Sequence, residues 1–163
     1  MHDEICSRGF DPAVGSFMQS YGSTQVDASL LLMPLVGFLP ADDPRITGTV
    51  RCIEQRLLVD GFVMRYDSKL TDDGLPPGEG AFLACTFWLI DNYLLQGRHA
   101  EARRLFDRLL AIRNDVGLLA EEYHPAFGRQ IGSFPQAFSH VALVSTAYNI
   151  QRSERRAAPR RSD

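Results

Sequence analysis

The sequence predicts an all-α fold, a partial α/α toroid in which inner and outer helices alternate along an open arc. Three observations predict it. Helices that are apolar almost all round alternate with helices carrying a single apolar stripe. The alternation keeps a fixed spacing, and a similar glycine-led loop recurs after each outer helix. A helix apolar on every side must be enclosed, whereas a striped one can lie on a surface. Asp27 to Gly80 spans 53 positions and Gly80 to Phe134 spans 54, the period of a helical-hairpin repeat. An inner ring wrapped by an outer one buries both kinds of helix.

His2 to Ser7 reads as a helix that opens the chain abruptly. Asp27 to Phe38 (Ala28, Leu30, Leu31, Leu32, Met33, Leu35, Val36, Phe38) has hardly a polar face, and Asp27 suits its cap. Pro44 to Leu58 is striped, with Ile46, Val50, Ile53, Leu57 and Leu58 on one side. Asp42 or Asp43 caps it, and Pro44 fits a first helical position. A short extended run, Gly61-Phe62-Val63-Met64, leads into Arg65-Tyr66. Gly80 to Leu95 is apolar all round, so Phe87 and Trp88 read as core, and Gly97 is its stop signal. His99 to Ile112 returns to one stripe (Ala102, Leu105, Phe106, Leu109, Leu110), and Phe134 to Ile150 begins a third enclosed helix.

The domain is therefore placed at 1–150, with a basic, disordered tail at 151–163. The chain has 163 residues and a net charge of -3. Five arginines against Glu154 and Asp163 make the tail +3 and leave the body at -6. An acidic body offers no basic face for nucleic acid. No apolar run reaches the roughly 18 residues needed to span a membrane, and the acidic start is unlike a secretory signal. Cys6, Cys52 and Cys85 are widely spaced and read as buried thiols in a reducing cytoplasm. His2, His99, His124 and His140 lack ligand spacing, so neither a metal nor another cofactor is expected.

Gly15 to Gln19, Gly61 to Arg65 and Gly117 to Glu121 share the pattern Gly-x-x-x-polar. In a toroid, Gln19, Arg65 and Glu121 would enter successive inner helices from one end and converge on the mouth of the cavity. Glu121 is thus singled out by position alone. Loops held by a rigid frame are where catalytic side chains sit, although an arbitrary Glu-Glu pair such as Glu121-Glu122 is more often two solvated acids.

The run Leu118-Leu119-Ala120-Glu121-Glu122-Tyr123, followed by Phe134-Pro135-Gln136-Ala137-Phe138-Ser139-His140, resembles the C-terminal catalytic region of glycoside hydrolase family 15. That family comprises the glucoamylases and bacterial trehalase-like enzymes. The resemblance covers about Ile5 to Asn149 and implies an (α/α)6 barrel and inverting hydrolysis of an α-glucoside (trehalose, maltose or starch-like ends). It puts Glu121 on the general base and Glu122, a candidate substrate-binding residue, where many members carry Gln. It places Arg65-Tyr66 in the glucose subsite. Glu79, in Gly78-Glu79-Gly80, either binds a sugar hydroxyl or complements a helix N-terminus. Tyr21 and Asp27 match the family only loosely.

No residue matches the family's general acid, which lies in the front half of the barrel. At about 54 residues per hairpin the chain holds roughly two and a half of the six hairpins a closed ring needs. The expectation is a fragment, inactive alone, whose partner is the missing N-terminal half of the barrel. The alternative is a helical remnant or interaction module without hydrolase activity.

Overall fold

A computed structural model describes residues 1–67 and 80–157. Helix α1 (His2–Arg8) leads into a hairpin of β1 (Phe10–Asp11) and β2 (Ser16–Phe17). A 3₁₀ turn (Ala28–Leu31) continues into one turn of helix, α2 (Leu32–Leu35). Then come α3 (Pro44–Leu57), the hairpin β3 (Leu58–Val59) and β4 (Phe62–Val63), β5 (Ala81–Phe82), α4 (Leu83–Leu95) and α5 (His99–Ala111). Strands β6 (Glu122–His124) and β7 (Arg129–Ile131) flank a 3₁₀ turn and join β5 in an antiparallel sheet of order β5-β6-β7. Helix α6 (Ala137–Ala157) closes the described chain.

The alternation of inner and outer helices is present. Helix α4 is buried from Leu83 to Tyr93 apart from half-buried Trp88, and it packs against α6, α5 and the 3₁₀–α2 segment. Asn92, fully buried, donates to the carbonyls of Leu31 and Trp88 at 2.8 Å each and ties α4 to its inner neighbour. Helices α3 and α5 each bury one stripe, Ile46, Val50, Ile53 and Leu57 on the first, Ala102, Phe106 and Leu109 on the second. Arg98 links these layers. It bonds Glu54 of α3 at 2.7 Å, holds Glu101 through two contacts and lies 3.9 Å from the centre of the Tyr93 ring. The capping expectations hold as well. Asp27 accepts from the Ser29 amide at 2.7 Å, Asp43 from the Arg45 amide at 2.9 Å, and Pro44 opens α3.

Three expectations change. The first inner helix is not continuous from Asp27 to Phe38: only Ala28–Leu35 is helical, half of it 3₁₀. Gly37, at φ +74°, ends it. The Gly37 amide bonds Pro34 O, and the Phe38 amide bonds Met33 O, the double closure that stops a helix. The third inner helix starts at Ala137 instead of Phe134, and it is enclosed on one side only. Ser139, Ala142, Thr146 and Ile150 are buried while Phe138, Val141, Val144 and Tyr148 are exposed. The same helix runs to Ala157, beyond the boundary placed at Ile150, because Gln151 to Ala157 contains no glycine or proline to break it.

The contact between α4 and α6 carries a buried charge. Asp91, at 7% exposure, accepts from Thr146 Oγ1 and from Asn149 Nδ2, both at 3.1 Å. Burial raises its carboxyl above the ordinary range against the lowering effect of both hydrogen bonds. A folded-state pKa above the unfolded one means stability present at acid pH and lost as pH rises through the folded value. Asp91→Asn removes the buried charge. It is expected to raise the melting temperature at pH 7 by about 2–4 °C, the effect of roughly 1 kcal/mol in a chain of this size. Below pH 4 the gain disappears. Thermal melts by circular dichroism at both pH values check this.

Candidate active site

The three glycines aligned by the repeat share one backbone state: Gly15, Gly61 and Gly117 have φ of +74°, +78° and +84°. Gly61 completes a two-residue hairpin turn with Asp60, which also has positive φ, the combination that matches the twist of paired strands. The second and third loops then deliver Arg65 and Glu121 to the N-terminal end of an inner segment, whereas Gln19, contrary to the repeat, does not join them. The carbonyl of Arg65 accepts from the Ala28 amide at 2.8 Å, and that of Glu121 accepts from the Leu83 amide at 3.0 Å. Gln19 lines a separate hollow with Tyr21, Ser29 and Met33.

Arg65 and the backbone of Glu121 both contact the Phe82–Leu83 segment. The exposed Arg65 guanidinium lies 5.7 Å from the Phe82 ring centre and 5.3 Å from that of Tyr66. Phe82 precedes the Leu83 amide that bonds Glu121 and pairs in register with Glu122. Tyr66 is 8% exposed, so its ring supports Arg65 from below. Cys85, one turn into α4, is buried; burial, with Asp27 adding to it and Arg65 opposing, pushes its thiol up to about 12, so it stays protonated and unreactive. Glu79 lies outside the described residues.

The two adjacent carboxylates have different surroundings. Glu122, on the central strand of its sheet, accepts from the Gly80 amide at 2.7 Å. That approach requires glycine, because a Cβ at Gly80 would stand 2.8 Å from Tyr123 O. Glu121 accepts from the Ser133 amide through Oε2 at 3.2 Å, and Oε1 has no partner among the described residues.

The backbone beneath Glu121 is fully accounted for, as buried chain must be. Leu119 and Ala120 are buried. Leu119 N–H donates to His140 Nε2 at 3.3 Å, and its carbonyl accepts from Gln136 N–H at 3.0 Å. Ala120 N–H donates to Gln130 Oε1, and its carbonyl accepts from Ser139 Oγ at 2.8 Å. Glu121 N–H donates to Ser133 O at 3.0 Å, and its carbonyl takes the Leu83 amide. Because Nε2 of His140 faces a donor, the ring proton sits on Nδ1 and donates to Gln136 O at 2.7 Å. The Phe134–His140 run is therefore more than the start of a helix: three of its residues hold the loop. Its aromatic members face elsewhere, with Phe138 exposed and edge-on to Trp88.

A groove of about 770 Å³ opens between α2, α4 and α6, lined by Leu32, Leu35, Trp88, Phe138 and Val141, with Asp91 and Asn149 among its polar groups. Among the described residues, no cluster of His, Cys, Asp and Glu could hold a metal, and no helix is long and apolar enough to cross a membrane.

A model of the glycosyl hydrolases family 15 matches residues 1–148. This chain belongs to glycosyl hydrolase family 15. Among the family's curated relatives, a trehalase of Mycolicibacterium smegmatis is 45% identical over 154 residues, covering 94% of this chain and 23% of that protein. A trehalase of Thermoplasma acidophilum is 42% identical over 149 residues, covering 91% of this chain and 25% of its own length. The chain thus spans about a quarter of the family members it matches. A solved glycosidase superposes with a TM-score of 0.77 at 23% identity, over 92% of this chain and 42% of that one, a likeness of fold. The repeat signal led to Arg65 and Glu121, which both contact the Phe82–Leu83 segment, whereas Gln130 had none. A lone glutamine five residues beyond a turn proline carries no pattern.

Proposed function

We propose that the chain is the base-carrying part of an inverting α-glucoside hydrolase of carbohydrate metabolism, with trehalose as substrate. The three inner segments, side by side, are read as part of a closed (α/α)6 ring whose remainder supplies the general acid. The observation that carries this reading is Glu121. It is a carboxylate with one oxygen unpartnered among the described residues, on a backbone whose groups from Leu119 to Glu121 are all bonded, next to the Phe82–Leu83 segment that the Arg65 guanidinium also contacts. The trehalases among the relatives, and a solved glycosidase described in complex with glucose, support the choice of sugar.

In this reading a water stands between Glu121 and the anomeric carbon. As its oxygen bonds to that carbon, its proton passes to Glu121. The glycosidic bond breaks, and the leaving oxygen takes a proton from the acid across a gap of roughly 6.5–9.5 Å between the carboxyls. Arg65 donates to hydroxyls of the same glucose, where a forked guanidinium gives orientation as well as attraction. Glu122, bonded to Gly80, shapes the strand next to the base.

The test is stereochemical. A chimera is made in which this chain replaces the matching segment of the M. smegmatis trehalase. Inversion at one carbon of α,α-linked trehalose releases one β-glucose and one α-glucose per turnover. Proton NMR during the first turnovers is expected to show the two in equal amounts. Only α-glucose would mean retention and would remove Glu121 from the role of general base.

A further inference from the structure

We propose that Gln130 is a positioning residue for the general base, acting through the Ala120–Glu121 backbone; the inference rests on the reading of Glu121 given above. The amide of Gln130 bonds the base loop through both its oxygen and its nitrogen. Its Oε1 accepts from Ala120 N–H, while its Nε2 donates to Ile112 O at 3.0 Å and to Leu118 O at 3.4 Å. The orientation is dictated by the partners, since two carbonyls require the NH₂ end and a backbone N–H requires the oxygen. Ile112 caps the end of α5, so the amide ties the base loop to an outer helix packed against α4. From the other side, Gln136, Ser139 and His140 tie the same loop to the start of α6. Gln130 opposes them from the end of α5, as the Leu83 amide of α4 does at the Glu121 carbonyl.

The consequence is positional. Glu121 is the residue next to Ala120, and no regular helix or sheet ladder fixes residues 119–121. Without Gln130, the Ala120 N–H is buried and unpaired, and the loop must shift to find water or another acceptor. A displacement of about 1 Å at a catalytic group can cost about 10²-fold in rate. Arg65, held through its own carbonyl and stacked on Tyr66, is not moved by that shift.

The test uses Gln130→Met in the trehalase chimera, which keeps side-chain volume and removes all three bonds. The expected result is a fall in kcat of about 10–100-fold with KM within about twofold. In a Glu121→Gln background, Gln130→Met is expected to add nothing, since the residue it positions no longer acts. An unchanged kcat, a rise in KM in place of the fall, or an additive loss in that background overturns the proposal. Glu121→Gln alone tests the underlying reading, so the two failures are distinguishable. If Gln130→Met does not fold, hydrogen exchange on the unsubstituted 163-residue chain decides. The Ala120 amide is expected to exchange as slowly as core amides of α4, and exchange at the rate of an exposed loop overturns the proposal.

Discussion

In the trehalase chimera, Glu121→Gln is expected to lower kcat by about 10²–10⁴-fold, the usual contribution of a general base, with the fold unchanged. Glutamine has nearly the same shape and keeps an oxygen for the Ser133 amide, so the loop has no reason to move. What it loses is the ability to take a proton from water. Glu122→Gln is the internal control. Its carboxylate accepts from Gly80 N–H, and a glutamine oxygen can do the same, so kcat is expected to stay within a few-fold. Steady-state kinetics with a thermal melt for each variant measures both. If Glu122→Gln proves the crippling change and Glu121→Gln the mild one, the base has been assigned to the wrong carboxylate.

The 163-residue chain alone is expected to release no measurable glucose from trehalose, and turnover is expected only when the front portion of a family 15 barrel is joined to it. Two physical terms oppose activity in isolation. A base without an acid leaves the departing oxygen unprotonated, which costs about 10²–10⁴-fold. The α6 face with Phe138, Val141, Val144 and Tyr148 is exposed beside the open groove between α2, α4 and α6, so the neighbour that would complete the ring is not in place and the positioning a closed pocket supplies is lost. An apolar face of this kind is normally covered by another surface. A coupled glucose assay on the purified chain, beside the chimera at equal concentration, provides the measurement. Robust turnover by the chain alone would mean that it holds an acid of its own.

Much of this arrangement was legible in residue order because the determining signals are local. A helix with apolar residues all round, such as Leu83 to Leu95, has nowhere to lie except inside. A stripe such as Ala102, Phe106 and Leu109 fixes which face turns inward. Asp27, Asp43, Pro44 and Gly97 act within a turn of their own position, and their placements followed. The glycine at the head of each loop marks a left-handed backbone that side chains disfavour, which is why Gly15, Gly61 and Gly117 could be aligned without coordinates.

Other features depended on what comes to lie beside what. Phe134 to Ile150 has the composition of an enclosed helix, yet half of α6 is exposed. Hydrophobicity states a demand for burial, and only a neighbour can meet it. The anchoring of the 3₁₀ turn at Ala28–Leu31 and the pairing of β5 with β6 come from contacts between distant segments, such as Ala28 to Arg65 and Phe82 to Glu122. Gln130 is the clearest case. Its chemistry is that of any glutamine until folding brings Ala120, Ile112 and Leu118 around one amide. The sequence by itself determined the helical alternation, the family and the two residues, Arg65 and Glu121, that the proposed chemistry uses. Tertiary structure decided which backbone holds Glu121 in place and which apolar face stays open, because both depend on partners far apart along the chain.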